Sequence, residues 1–310
     1  MHLGLAFIAR HGKFGLIIGL VAGLLLPGLA AVMRPWIPEM VALLLFLTAF
    51  RIGPVEAVES LDALTRTAAT ALVLQLVLPL GFIACLWVFG LSLTPLAMAA
   101  VLVLAAPSVT GSANFSILLG HDPAPALRLL ILGTAILPLT CIPVFFFLPE
   151  LGGVGEVLRA AARLLSVILT AAVLGFALRY WGFRTLSDRN RASVDGVTVI
   201  ALAVIVIALM SAIRPAWDRD PWELGFWLLA AFGINFGAQI VTYLGLSALG
   251  RRDAVPVSIV SGNRNFALFL VALPPETTEP LLVFLGCYQF PMYLTPTLLR
   301  RLYAPRPSAI

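Results

Sequence analysis

Long apolar runs, separated by short polar connections, make up almost the whole chain. Each run has about 20 residues, which is the length that a helix needs to cross the roughly 30 Å hydrocarbon core of a bilayer. The pattern predicts an all-α polytopic membrane protein with ten transmembrane helices. The predicted spans lie near residues 12–32, 36–53, 67–90, 94–119, 124–148, 157–180, 194–213, 222–249, 254–273 and 279–302.

The composition points the same way. Of the 310 residues, 61% are hydrophobic and only 11% are charged, whereas a soluble domain carries about 25% charged residues. We therefore expect a single membrane domain over residues 1–310, surrounded by the lipid bilayer and without a separate soluble domain. The spacing of the three cysteines suits neither a metal site nor a disulfide framework, so no metal and no cofactor are expected.

The net charge of +5 is distributed as a membrane-topology signal, and no nucleic-acid partner is expected. Arginines such as Arg51, Arg66 and Arg252 gather at one set of span ends, while carboxylates dilute the arginines at the opposite ends. The positive-inside rule then predicts that both termini are cytoplasmic. Lys13 is the only lysine. Such a scarcity is typical of a GC-rich bacterial genome and favours the bacterial inner membrane as the location.

Two pairs of similar segments indicate an internal repeat. The stretch QLVLPLG at 75–81 is similar to QIVTYLG at 239–245, and SVTGSANFSILLG from Ser108 is similar to SIVSGNRNFALFL from Ser258. Both pairs occur in the same order, so we predict two repeats at about 12–148 and 157–302. Because each repeat would hold an odd number of spans, the second must be inverted, which is the architecture of secondary transporters.

Both repeated segments carry helix-breaking residues in the middle of a span, around Pro107 and Gly111 in the fourth and around Gly262 in the ninth. Unwound backbone in hydrocarbon leaves polar groups unpaired at a cost of several kcal/mol each, so it occurs only where it lines a cavity or is buried in protein. We expect the two breaks to face each other and to form a site for a small ion or anion from half-helix ends. The alternative is that these small residues serve only close helix packing.

Arg264 lies midway along the ninth span. A guanidinium at the bilayer centre costs at least about 2.5–3.5 kcal/mol and cannot be neutralised by losing its proton. No carboxylate lies near mid-span, so the expected partners are carbonyls of the broken helices, the side chains of Gln75, Asn114 or Gln239, or an anionic ligand. Arg264 could act as a fixed cation that holds the broken helices together or as a clamp for a substrate carboxylate.

Residues of the fourth and ninth spans resemble the bile acid:sodium symporter family. The segment 258–265, SIVSGNRN, is similar to that family's Ser-Ile-Glu-x-Gly-x-Gln-Asn, and Pro107, Thr110 and Ser112 match its fourth-helix motif. The resemblance implies a panel of spans 1, 2, 6 and 7 and a core of spans 3–5 and 8–10, in which broken helices four and nine cross. It also implies alternating access, with the substrate held between panel and core.

The sodium ligands of that family are largely replaced. The positions that the resemblance assigns to ligands hold Val260, Ala113, Ala126 and Leu130, while Arg264 stands at the position of the ninth-helix glutamine. A positive charge at this position repels sodium, by about 4 kcal/mol at roughly 4 Å even at a high effective dielectric constant. The sequence thus leads to the hypothesis of a sodium-independent transporter for a small organic anion. The alternative is a sodium-coupled, bile acid-like symporter with relocated ligands.

The expected binding residues are polar and lie at mid-span. An intramembrane enzyme is not expected, because none of the histidines lies deep in a span. Arg128, early in the fifth span, is expected either to reach the cytoplasmic face or to line a cavity. The pattern specifies no oligomeric state. The candidate site residues are Gln75, Thr110, Ser112, Asn114, Asn235, Gln239, Ser261, Asn263, Arg264 and Asn265.

Overall fold

A computed structural model describes residues 2–10, 12–59, 63–148, 153–183 and 186–304. These residues are almost entirely helical, and none of them forms a strand longer than an isolated bridge. Short 3-10 segments and one π-helical turn, Val73–Val77, connect several of the helices. The helices are α1 His2–Arg10, α2 Gly12–Leu25, α3 Pro27–Met33, α4 Ile37–Glu59, α5 Leu64–Leu72, α6 Leu78–Val88, α7 Pro95–Ala105, α8 Ser112–Leu118, α9 Ala124–Phe145, α10 Val154–Gly182, α11 Asp188–Leu209, α12 Ile213–Arg219, α13 Pro221–Ala248, α14 Ala254–Gly262, α15 Phe269–Ala272, α16 Pro275–Thr278 and α17 Leu282–Leu298.

The protein is an all-α, multi-pass membrane protein. Six helical stretches of the described residues are long and apolar enough to cross a bilayer. The apolar helix α7 is shorter, because the chain unwinds after Ala105. The total of ten spans and the inverted repeat stay predictions. The membrane-crossing stretches are Pro27–Val55, Leu64–Val88, Ala124–Phe145, Val154–Gly182, Asp188–Arg219 and Pro221–Ala248.

The predicted boundary between the first two spans, near residues 33–35, is wrong. The chain leaves helical geometry at Leu26, with φ −119° and ψ 62°, and then continues through α3 and a 3-10 turn into α4. Leu26 precedes Pro27, and the ring of a proline disfavours helical geometry in the residue before it. Pro35, in contrast, lies at the start of the 3-10 turn, where its missing N–H leaves no helical hydrogen bond unmade.

The helices pack as two groups, each named for one member. In the α4 group, α10 and α11 pack against α4, and α1 and α2 pack against α11. In the α14 group, α13 packs against α14 and α17, while α8 and α9 also contact α14 and α5 contacts α9. A shared apolar core joins the groups and includes Val41, Leu164, Phe269 and Phe284. Helices α8 and α14 therefore lie in the α14 group, while α15, which follows α14 along the chain, contacts α4 and α10 of the other group.

We expect Gly175→Ala to destabilise the α4 group. A Cβ on Gly175 of α10 would lie 2.8 Å from the Cβ of Ala49 and 2.9 Å from the carbonyl oxygen of Phe46, both on α4. Because backbone lies in the way, the helices must separate, and overpacking of this kind costs about 1–3 kcal/mol. The measurement is thermal unfolding of the purified protein in detergent.

Gly155→Ala is the matched control for this substitution. Gly155 lies on the same helix, and no atom lies within 4 Å of the place where its Cβ would be. Gly155→Ala should leave the unfolding temperature unchanged or raise it, because alanine favours helix over glycine by up to about 1 kcal/mol. Equal unfolding temperatures for the two variants would contradict the close approach of α10 to α4.

Candidate functional site

The two broken segments pair with each other through their backbones. The chain unwinds at 106–111 between α7 and α8, and at Asn263–Asn265 after α14. The N–H of Val109 donates to the carbonyl of Asn263 at 2.9 Å, and the N–H of Asn265 donates to the carbonyl of Pro107 at 2.8 Å. These bonds form an antiparallel bridge, which we call the crossing, centred on Ser108 and Arg264. The prediction that the two breaks face each other is confirmed.

The guanidinium of Arg264 lies at the centre of the crossing, and the residue is only 2% exposed. Its Nε donates to the carbonyl of Ser261 at 2.8 Å, one Nη to the carbonyl of Ala106 at 2.9 Å, and the other Nη to the carbonyl of Leu74 at 3.3 Å. Ser261 lies in the last turn of α14 and Ala106 directly follows α7, where unpaired carbonyls carry negative partial charge. One cation thus binds both broken helix ends and a third segment of the chain.

The local sequence explains why these carbonyls are free to bind Arg264. In a continued helix the N–H of Asn265 would bond to Ser261, but it bonds to Pro107 across the crossing. The carbonyl of Leu74 lacks its usual partner because the π turn directs the N–H of Leu78 to Val73. The next residue, Pro79, has no N–H to offer in its place.

Polar side chains from α13 and α17 hold the end of α14. The amide nitrogen of Asn235 and the hydroxyl of Tyr288 both donate to the carbonyl of Gly262. Gln239 donates to Asn235 at 2.7 Å and to the hydroxyl of Thr295 at 3.0 Å. Both amide residues of α13 are fully buried. Their side chains are therefore engaged in supporting the crossing.

Two further candidates, Ser261 and Asn263 at the end of α14, also form hydrogen bonds with protein groups. The hydroxyl of Ser261 donates to the carbonyls of Ala238 and Ser258, at 2.9 and 2.7 Å. The amide nitrogen of Asn263 donates to the carbonyl of Ile259 at 2.8 Å, and both residues are buried. Asn235, Ser261 and Asn263 thus donate to backbone carbonyls and Gln239 donates to neighbouring side chains, so all four are engaged with protein groups.

A small cavity of about 40 Å³, which we call the crossing cavity, lies between the crossing and the helices α4, α11 and α17. It brings together three candidates from the sequence, Thr110, Arg264 and Asn265, with Gln289 and Tyr293 of α17. This volume holds a few water molecules, whereas sites for small organic molecules measure about 300–1,000 Å³. The crossing cavity is therefore too small for a small organic molecule. The apolar lining includes Val41, Leu44, Leu45, Leu202, Ile205 and Phe266.

Sequence reasoning missed Tyr293 and gave little weight to Gln289. The two residues are four positions apart on α17, so they share one face of the helix. The amide nitrogen of Gln289 donates to the carbonyl of Leu285 at 3.1 Å. Two side chains with polar atoms, four residues apart in an apolar helix, were the sequence signal that could have identified this face of α17 as part of the site.

The structure does not bring Ser112, Asn114 or Gln75 to the crossing cavity. Ser112 is fully buried, and its hydroxyl has no hydrogen-bond partner among the described residues. Asn114 is exposed on α8, because two residues along a helix correspond to a rotation of about 200° away from Ser112. Gln75 is buried behind the crossing, where the hydroxyl of Thr140 donates to its carbonyl oxygen at 3.4 Å. The expected side-chain contacts of Arg264 with Gln75, Asn114 or Gln239 are absent among its described hydrogen bonds.

An apolar cluster occupies the region behind Arg264. Val260, Ala126 and Ala113 belong to it, together with Leu74 and Val257. Val260 is 1% exposed and Ala126 is fully buried. The side chains of this cluster supply no oxygen atom, and hard cations such as sodium require oxygen ligands.

No protein-family model matches the chain, and no curated protein matches it. The resemblance to the bile acid:sodium symporter family therefore rests on the motif residues of the fourth and ninth spans, and it stays a prediction.

We expect Arg264→Met to destabilise the protein strongly. The substitution leaves three buried carbonyls without their donor, and each buried unsatisfied group costs about 1–3 kcal/mol. Thermal unfolding and size-exclusion chromatography of the purified protein measure the loss. Arg264→Lys keeps a charge but lacks the planar fork of the guanidinium. Its unfolding temperature should therefore lie between those of the wild type and of Arg264→Met.

Arg214→Met is the control for removal of an arginine. Arg214 pairs with Asp218 at 3.0 Å on the surface of α12, with 57% of its side chain exposed. Its loss should change stability by less than about 1 kcal/mol, as for other exposed ion pairs. If Arg264→Met were as stable as Arg214→Met, the role of the guanidinium in holding the crossing would be refuted.

Proposed function

We propose that the protein is a secondary transporter of a small organic anion that works by alternating access and is not coupled to sodium. The observation that carries the proposal is the guanidinium of Arg264, bonded to the carbonyls that end α7 and α14. Two broken helices that meet within the membrane favour a transport site, because such irregular backbone is found where it lines a cavity or a substrate path.

The fixed cation supports sodium independence. Helix C-termini that converge within the membrane need positive charge. Arg264 supplies that charge covalently, cannot lose its proton and cannot leave with the substrate. The apolar cluster of Val260, Ala126 and Ala113 behind it offers no side-chain oxygen to a sodium ion. A sodium gradient would therefore have no ion to drive through this position.

The lining of the crossing cavity favours an anion. The protein carbonyls accept three of the five N–H groups of Arg264. The amide of Asn265 and the hydroxyls of Thr110 and Tyr293 add neutral hydrogen-bonding groups, and none of the lining residues is acidic. A single carboxylate matches this set of donors. To admit it, the α4 group must move relative to the α14 group, because the cavity is now too small.

The finer architecture belongs to the same proposal. We propose ten spans in two inverted repeats, at about 12–148 and 157–302, with the α4 group as panel and the α14 group as core. The location would be the bacterial inner membrane, with both termini in the cytoplasm. The breaks after α7 and after α14, and the packing of the helices in two groups, support this arrangement.

Stabilisation by an organic anion should not depend on sodium. Purified protein is screened by thermal shift against small mono- and dicarboxylates in potassium chloride and in sodium chloride. We expect a carboxylate that raises the unfolding temperature equally in both salts, because Arg264 already supplies the charge. Uptake of that carboxylate into proteoliposomes should persist when choline replaces sodium.

Two results would contradict the proposal in different ways. Uptake that collapses without sodium would favour the alternative, a sodium-coupled organic anion symporter with relocated ligands. If no carboxylate stabilised the protein or entered the proteoliposomes, transport of organic anions itself would be refuted.

Thr110→Val should weaken uptake without lowering stability. Thr110 lines the crossing cavity, and its hydroxyl has no hydrogen bond within the described part of the chain. Loss of one substrate hydrogen bond, worth about 0.5–1.5 kcal/mol, should raise KM for the stabilising carboxylate by roughly 2- to 10-fold. Thr198→Val is the matched control, because the hydroxyl of Thr198 bonds to the carbonyl of Val194 within α11. Equal KM values for the two variants would exclude Thr110 from the substrate path.

A further inference from the structure

A second and much larger cavity lies at the other side of the apolar cluster. It measures about 490 Å³, and we call it the basic cavity. Its wall is formed by the beginnings of α5, α9 and α14 and by the turn between α13 and α14. Its volume lies within the range of small-molecule sites, about 300–1,000 Å³. Its charged lining residues among those described are Arg66, Arg128, Arg251, Arg252 and Asp253.

Among the described lining residues, Asp253 is the one acidic residue that faces these four arginines, and it is already bound. Arg251 donates to Asp253 through Nε at 2.8 Å and through Nη2 at 2.6 Å. This hydrogen bonding holds the pKa of the Asp253 carboxyl below its usual range, and the charge of Arg66 adds to the effect. Asp253 is therefore ionised at neutral pH and neutralises Arg251. Arg128 and Arg252 have no ion pair with any described residue.

The helix ends around the cavity add to its positive potential. Helices α5 and α14 both begin at its wall, and no side chain caps the first turn of either. Their free N–H groups carry positive partial charge and attract anions. The third helix, α9, is different, because the carboxylate of Asp122 accepts from the N–H of Ala124 at 2.9 Å. The attraction therefore comes from the arginines together with two uncapped helices.

The apolar cluster separates the basic cavity from the crossing. Leu129 and Val257 line the cavity and belong to the cluster, and Leu74, whose carbonyl binds Arg264, belongs to the same cluster. Ala126, between them, is fully buried. A ligand in the basic cavity would therefore not touch the guanidinium of Arg264. Within the described part of the chain, Arg264 and the basic cavity are thus separate cationic centres with apolar side chains between them.

We propose that the basic cavity is a binding site for a phosphate group. A phosphate carries more charge than a carboxylate and has oxygens in several directions, so it matches several guanidinium groups at once. The group could belong to a soluble phosphorylated compound or to the headgroup of an anionic phospholipid at the membrane surface. This site does not depend on the proposed transport function, because none of its charged residues lies at the crossing.

The test compares two double variants that remove the same charge. Arg128→Gln/Arg252→Gln neutralises two arginines of the basic cavity. Arg159→Gln/Arg163→Gln neutralises two exposed arginines of α10, which do not line it. Full-length protein in detergent is titrated with potassium pyrophosphate at constant ionic strength, and binding is followed by thermal shift and calorimetry. In a second arm, protein in nanodiscs of phosphatidylcholine is compared with protein in nanodiscs that also contain phosphatidylglycerol.

We expect a phosphate ligand to stabilise the wild type and the α10 variant in at least one arm. Its affinity should fall at least about tenfold in the cavity variant, because two charge-assisted contacts are lost. Binding of pyrophosphate alone would identify a soluble ligand, and stabilisation by phosphatidylglycerol alone would identify a lipid headgroup. If neither ligand bound, or if the cavity variant bound as tightly as the α10 variant, the proposal would be overturned. Unfolding temperatures without ligand establish that both variants are folded.

Discussion

The bonding of one guanidinium to three backbone carbonyls is the interaction on which this structure depends. Arg264 joins the ends of α7 and α14 to the π turn that precedes α6. Without a donor at this position, the two interrupted helices would leave buried acceptors within the apolar interior, where each is costly. Two backbone hydrogen bonds, from Val109 to Asn263 and from Asn265 to Pro107, join the two breaks directly. The irregular backbone is thus held by one arginine side chain and by two backbone hydrogen bonds across the crossing.

A guanidinium that belongs to the chain and a metal ion from solution would satisfy the same carbonyls, but with different consequences for coupling to an ion gradient. A bound metal ion can dissociate, so its gradient can be coupled to the movement of a substrate. Arg264 is part of the chain, so the crossing holds a cation without an ion from solution. The valine and alanine side chains around Val260 and Ala126 fit this difference, since they need no water or oxygen ligand nearby. Sodium-independent transport stays a proposal, which Arg264 and these apolar side chains support.

The membrane class, the positions of the two breaks and their meeting could be predicted from the sequence, because helix-breaking residues and a charge at mid-span have few physical solutions. For Arg264 the sequence predicted carbonyls of the broken helices, polar side chains or an anionic ligand as partners, but it did not identify which carbonyls. The free carbonyl of Leu74 depends on a π turn, and nothing in the apolar run around Gln75 distinguishes it from regular helix. Asn114 was placed at the site by its neighbours in sequence, but its direction depends on where α8 begins. Tyr293 escaped notice because an aromatic side chain in an apolar helix resembles ordinary packing.

The π turn at Val73–Val77 has a consequence for how this segment can change over evolution. A π turn accommodates one residue more than the α-helical turn that it replaces. Deletion of a single residue there would restore regular α-helical geometry, and the helix's own N–H groups would then occupy the carbonyl that now accepts from Arg264. Point substitutions in this segment can be absorbed by repacking, whereas a change of length cannot. We therefore expect insertions and deletions to be excluded from this stretch even where its side chains vary freely.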